Sequence, residues 1–426
     1  MDQNVWTVVV GLSGSFGLGM CFATLGSIAV KLMPRLEMDE AKFGSLISTF
    51  MFSCLIASLA VGTGMDMLGY KTVAILGFVA AGASIFLLAR AKSINVVMVA
   101  GILLGVGAMA CNTTGNVLGT GVVAEMLKGD FAAANNLVNV CFGLGLFLTP
   151  FLVSFLFQKV SYEKAVSALG IVVLIPTVFA VLAKYPKAAG FSLGEAFGLL
   201  KEPVTIVAAL VLFCYIALEA SFTNWLAPFG KEVIKKEKPD MDGEKVDASA
   251  ARLLSAFAIA MMVGRLITGI SGITAVGSWL IVGSAVLAAI VIFIMMGVSK
   301  GGAAFALAAA SGLVFAPAFP TTVGVTFGKF GGGSGSLFGI IFAVGLAGAV
   351  IVPKAMGNMA KGATVQKSLK LLFPAVVGLA ILAAALNYVK GPAEREAPAE
   401  AAEEAVAEAV EEAPELPETP DLPTTE

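Results

Sequence analysis

Apolar stretches of about twenty residues recur along this chain from residue 5 to residue 390, and they constrain its fold more than any other feature. A bilayer core of ~30 Å is crossed by roughly 20 apolar residues in helical conformation, because a helix satisfies its own backbone N–H and C=O groups where no water is available. The stretches fall at 5–33, 43–63, 73–91, 95–124, 131–157, 165–184, 203–229, 248–271, 276–297, 301–322, 331–353 and 366–390. Twelve such segments predict an all-α membrane protein. Composition agrees with 58% hydrophobic and 13% charged residues, against about 45–50% and about 25% in ordinary soluble chains. Too little polar surface remains to wrap a soluble core. The 48 glycines suit lipid, where helices associate by close packing of small residues.

The spans divide into six and six. Residues 1–184 form an N-terminal half, 185–202 a polar connection containing Lys187, Glu195 and Lys201, and 203–390 a C-terminal half opened by Pro203. The segment 230–247 is too charged for lipid and reads as a solvated loop. Residues 391–426 differ in kind, with twelve acids against the single base Arg395. This Ala-, Glu- and Pro-rich tail is expected to be disordered, acting as a solvated spacer or, alternatively, as a partner-binding tail. An even number of spans puts both termini on one side. Connections on that side hold about nine Lys or Arg and those opposite about eighteen, which by the positive-inside rule alone places the termini outside.

Histidine is absent, so proton-linked chemistry must run on carboxylates. Glu219 is the clearest candidate, standing mid-span in Cys214-Tyr-Ile-Ala-Leu-Glu-Ala-Ser-Phe-Thr-Asn-Trp225. A carboxylate at membrane depth is costly and marks a pathway or a pair. It can bind and release a proton during a transport cycle; the alternative is a structural hydrogen bond sealing a helix break. Tyr215, one turn earlier, shares its face, and Asn224 and Trp225 follow in the same run. Asn112 and Asn116 are four apart, as are Asn135 and Asn139, so each pair shares a helix face. Their amides either bond across helices or line a polar cavity suited to hydroxyl-rich solutes. Trp225 either stacks on a sugar ring or anchors at the interface. Cys21, Cys54, Cys111, Cys141 and Cys214 lie in apolar runs and read as inert thiols. No metal-ligand spacing, activated nucleophile or phosphate-binding Gly-x-x-x-x-Gly-Lys segment is visible. We therefore expect no enzymatic activity, no cofactor and no nucleic-acid partner.

The second and third spans are joined by Gly62-Thr-Gly-Met-Asp66-Met-Leu-Gly69-Tyr-Lys71. This resembles the signature loop of the major facilitator superfamily, Gly-x-x-x-Asp-Arg-x-Gly-basic-basic, with Met67 at the arginine position and Tyr70 at the first basic one. Gly105-Val-Gly107, Phe142-Gly143-Leu-Gly145, Phe315-Ala-Pro317-Ala-Phe-Pro320 and Gly335-Ser-Leu-Phe-Gly339 are similar to the fucose-permease-like branch of that superfamily. The resemblance implies a major facilitator fold of two six-helix halves, with Gly62, Asp66, Gly69 and Lys71 as a gating motif. Arg265, near a span end, resembles part of its second-half counterpart in a gating ion pair; the alternative is an arginine snorkelling to the interface. It also implies both termini and the central connection in the cytoplasm of a cell (inner) membrane, against the Lys and Arg count. The implied function is secondary transport by alternating access, with a neutral, hydroxyl-rich solute such as a sugar carried together with protons. The alternatives are a carrier of small anions or carboxylates, and a non-transporting receptor or scaffold using the acidic tail. Sugar–proton symporters of that branch use acids in the first and fourth spans. Here the first span has none and Glu125 lies just past the fourth, so coupling rests on Glu219 alone or on another mechanism.

Overall fold

In the computed structural model, residues 5–187, 193–361 and 363–396 are described, and all of their regular structure is helical. Twelve helices are long and apolar enough to span a membrane: α1 (Val5–Arg35), α2 (Glu40–Leu68), α3 (Tyr70–Arg90), α4 (Ile94–Met126), α5 (Phe131–Phe157), α6 (Tyr162–Leu182), α7 (Pro203–Glu237), α8 (Gly243–Ile270), α9 (Trp279–Gly297), α10 (Gly301–Lys329), α11 (Gly335–Ala360) and α12 (Val365–Glu396). Each matches a predicted apolar stretch.

Local sequence sets the helix ends. Asp39, Ser93, Asp130, Asp242 and Thr364 each accept a backbone N–H of the first turn that follows, satisfying donors that have no partner inside the helix. Gly69 supplies the left-handed φ of +85° that turns α2 directly into α3. Two ends depart from expectation. The segment 230–247 is not an open loop: α7 continues to Glu237 and α8 begins at Gly243. Lys and Glu sustain helix well, so both helices project past their apolar runs until Lys238-Pro239 interrupts them. Glu125 likewise falls within the last turn of α4 and not beyond it.

Within the N-terminal half, α1 packs on α4 and α5, and α3 packs on α4 and α6; in the other half α7 packs on α8, α11 and α12. The approaches are close. Gly19 and Gly145 face each other's helix backbone across α1 and α5, with no room for a Cβ at either. The halves meet through α2 with α11 and through α5 with α8 and α10.

Successive spans run in opposite directions, so the ends of α2, α4, α6, α8, α10 and α12 lie on the same side as the start of α1; we call this the terminal side. Among the described residues, the hydrogen bonds between halves gather toward that side. Asp130 Oδ2 accepts from the Thr274 hydroxyl at 2.7 Å, and Asn136 Nδ2 donates to Thr321 Oγ1 at 3.2 Å. Ser58 donates to the Gly339 carbonyl at 3.0 Å. The bundle is therefore closed at its terminal side.

Residues 391–396 fold back onto this face. Both carboxylate oxygens of Glu394 accept from Lys329 Nζ, at 3.0 and 2.9 Å, and Arg395 pairs with Glu202. The sequence places a disordered tail over 391–426; its first six residues are instead held on this face, while 397–426 lie outside the described residues, as do 188–192 of the central connection.

Candidate functional site

Glu219 lies midway along α7, and the residue that meets it is Arg265 of α8. Arg265 Nη2 stands 3.3 Å from Glu219 Oε1. The arginine is 2% exposed, whereas the glutamate side chain is 24% exposed, so the acid fronts the pair and the cation sits behind it. The sequence places Arg265 near a span end and groups it with the loop motif. The structure instead brings it to Glu219, away from Gly62, Asp66, Gly69 and Lys71.

Two further contacts hold the guanidinium. Its Nε points to the Ala316 carbonyl at 3.5 Å. Within a helix that carbonyl would accept the N–H of residue 320, but residue 320 is proline and has none. The freed oxygen is thus a consequence of sequence. The guanidinium carbon also lies 5.7 Å from the ring centroid of Phe142 on α5, a cation–π contact that crosses from one half to the other. Tyr215 is fully buried one turn before Glu219, its hydroxyl makes no hydrogen bond among the described residues, and its ring lies 6.3 Å from that of Phe319.

The asparagines lie in the other half and form one ladder between α4 and α5. Asn116 Nδ2 donates to Asn112 Oδ1 at 2.8 Å. Asn135 Nδ2 donates to Asn116 Oδ1 at 3.1 Å and to Thr120 Oγ1 at 2.6 Å. Asn139 Nδ2 donates to Asn116 Oδ1 and to Asn135 Oδ1, both at 3.0 Å. α4 is wound as a π-helix over Thr114–Gly119 at this level, which turns Asn116 toward the facing helix. Asn112 Nδ2 and the hydroxyls of Ser15 and Thr114 are buried without a protein partner. Asn139 and Phe142 are three apart and share a face of α5, so the ladder continues toward Arg265.

Asn224 and Trp225 stand apart from the pair. Asn224 is exposed, and the Trp225 Nε1 donates to the Pro353 carbonyl at 3.1 Å with its ring against Gly357. That arrangement ties α7 to α11.

The loop motif sits at the closed terminal side. Asp66 is 1% exposed, and its oxygens accept the Gly335 and Ser336 N–H groups at 2.8 and 2.7 Å. It thereby caps α11, a helix of the opposite half, and its charge complements that helix's N-terminal dipole. Gly62 abuts Gly335 and Gly339. Lys71 Nζ donates to the Val181 carbonyl at 2.9 Å, at the C-terminal end of α6.

Comparison with known proteins fits this geometry. The chain overlays an outward-conformation structure of the transporter FucP with a TM-score of 0.72 at 15% identity, covering 89% of this chain and 98% of that one. A structure of the E. coli fucose:proton symporter FucP gives 0.69 at 18% identity, with 89% and 99% covered. The human organic anion transporter MFSD10 (TETRAN) gives 0.68 at 14% identity, with 90% and 100% covered. No curated protein sequence matches significantly. The sequence profile of the Major Facilitator Superfamily matches residues 11–353. Twelve spans in two halves, closed on one side through the loop motif and matched by that profile over most of their length, place this chain in the major facilitator superfamily of membrane transporters.

Proposed function

We propose that the chain is a proton-coupled symporter that binds a small solute between its halves and takes up its coupling proton at Glu219. The observation that carries this reading is the Glu219–Arg265 pair, a half-buried carboxylate on a buried cation that also touches Phe142 of the other half. A charge pair at the seam of two moving bodies changes its surroundings whenever they move, which is what coupling an ion to alternating access requires. Protonating Glu219 removes one partner of the pair and so alters the energy of the closed state.

Two solute classes have support. The fucose:proton symporter among the structural neighbours favours a neutral, hydroxyl-rich solute such as a sugar. The unpartnered Asn112 amide and the Ser15 and Thr114 hydroxyls are groups that such a solute could use. Arg265 favours a small carboxylate instead. We also place the chain in a cell (inner) membrane with both termini cytoplasmic, so that this structure is closed to the cytoplasm.

Uptake into proteoliposomes, with sugars and organic acids offered with and without an inward pH gradient, tests the reading. Gradient-driven accumulation that disappears in Glu219→Gln supports it. Accumulation unchanged in that variant removes Glu219 as the coupling group.

A further inference from the structure

Arg265 is held so that one portion of its fork is left for a single anion. Nε is directed at the Ala316 carbonyl and one face of the guanidinium is covered by the Phe142 ring, leaving the Nη edge toward Glu219. Of the two charges, only the glutamate has appreciable exposure. Among the described residues, the charged or titratable groups that reach Glu219 are Arg265 on α8 and Tyr215 on its own helix. The described parts of α10, α11 and α12, which pack on α7, bring no further charge to it. With Glu219 ionised, the site holds one positive and one negative group and is neutral.

Building on the coupling role proposed for Glu219, we propose that the solute is a monocarboxylate whose carboxylate replaces that of Glu219 on Arg265 once Glu219 carries the transported proton. The charge balance selects this class. A proton on Glu219 leaves Arg265 as an unpaired cation in a water-poor site, which is costly unless another anion arrives. One monoanion restores neutrality and recovers the charge-assisted hydrogen bonds of the guanidinium edge. A dianion leaves one negative charge uncompensated, and a neutral sugar leaves the arginine unpaired. The rings of Phe142, Tyr215 and Phe319 near the pair suit a solute whose remaining body is apolar. In each cycle one proton binds the Glu219 carboxylate and one carboxylate binds the guanidinium. Both leave on the other side, and no net charge crosses.

The test uses the full-length chain in proteoliposomes with radiolabelled L-lactate, phenylacetate, succinate and L-fucose, under a pH gradient with the membrane potential clamped at zero. Accumulation of L-lactate or phenylacetate, with no current on a supported membrane, is the expected result. Glu219→Gln, which imitates the protonated acid, should keep carboxylate counterflow while losing gradient-driven accumulation. Arg265→Ala should lower carboxylate transport by at least about thirtyfold, as expected when one partner of a buried charge pair is removed. Should Arg265→Ala fail to fold, the counterflow of Glu219→Gln still decides. Accumulation of L-fucose alone, of succinate alone, or of no compound in the panel overturns the monocarboxylate assignment. L-fucose uptake that Glu219→Gln abolishes would do so while leaving the coupling role of Glu219 intact. Carboxylate uptake that ignores both the pH gradient and Glu219→Gln would break the coupling role, and this proposal with it.

Discussion

The Asp66 carboxylate, in the last turn of α2, accepts the backbone N–H of Gly335, the first residue of α11, at 2.8 Å. The two residues belong to different halves, so this bond exists only while the terminal side is closed. Replacing Asp66 by Asn should therefore shift the balance of states. The amide retains one acceptor oxygen for two N–H donors and loses the charge that faces the helix dipole, a loss of about 1.5–3 kcal/mol. Distances between spin labels on the α2–α3 and α10–α11 connections, in a cysteine-free background, should acquire a longer population. An unchanged distribution would show that the cap does not hold the closed state.

Gly62 makes the same closure possible by having no side chain. A Cβ there would press on the backbone of Gly335 and Gly339. Gly62→Val should hold the terminal side apart and abolish net transport, while leaving the protein folded and its thermal transition cooperative. Transport at the parental rate would mean that α2 and α11 have room that their packing denies.

Trp225 tests a different point. Its indole N–H is engaged by the Pro353 carbonyl, so it serves the α7–α11 contact and does not stack on solute. Trp225→Phe should lower thermal stability by about 1 kcal/mol, the worth of one hydrogen bond, with KM unchanged. A rise in KM of tenfold or more, at unaltered stability, would return this residue to the binding site.

The asparagine ladder makes a parallel prediction. Asn139→Leu removes its bond across to Asn116 and its bond to the Asn135 amide within α5, and interhelical hydrogen bonds in membranes average about 0.6 kcal/mol with a maximum near 1.7. A modest loss of thermal stability is expected, together with an unchanged proton requirement for transport. Loss of proton coupling in this variant would show that the ladder takes part in ion binding.

What could be read from the sequence follows from what lipid demands locally. Each span announces itself because a helix in a bilayer must be apolar over its own length, and Glu219 stands out because it breaks such a run. Asp66 and Gly69 are legible through the turn that they build. Arg265 is not. Five residues from the end of α8, it reads as part of the gating motif or as an arginine reaching for the interface, and nothing in its neighbours reveals that Phe142 and Ala316 close over it. That burial arises from helices distant in sequence. The same holds for the ends of α7 and α8, where charge reads as a loop although charged residues form helix readily outside the bilayer. The Ala316 carbonyl was within reach, since Pro320 four residues later deprives it of its donor. The contact between Asn136 and Thr321, which crosses the halves, had no such signal.

The interruption of α10 near Ala316 and Pro317 divides that span into two rods. The second rod carries Thr321 and Gly324 against α5 at the terminal face, and the joint presents the carbonyl to which Arg265 points. The seal of that face and a support of the charge pair thus share one short stretch of chain.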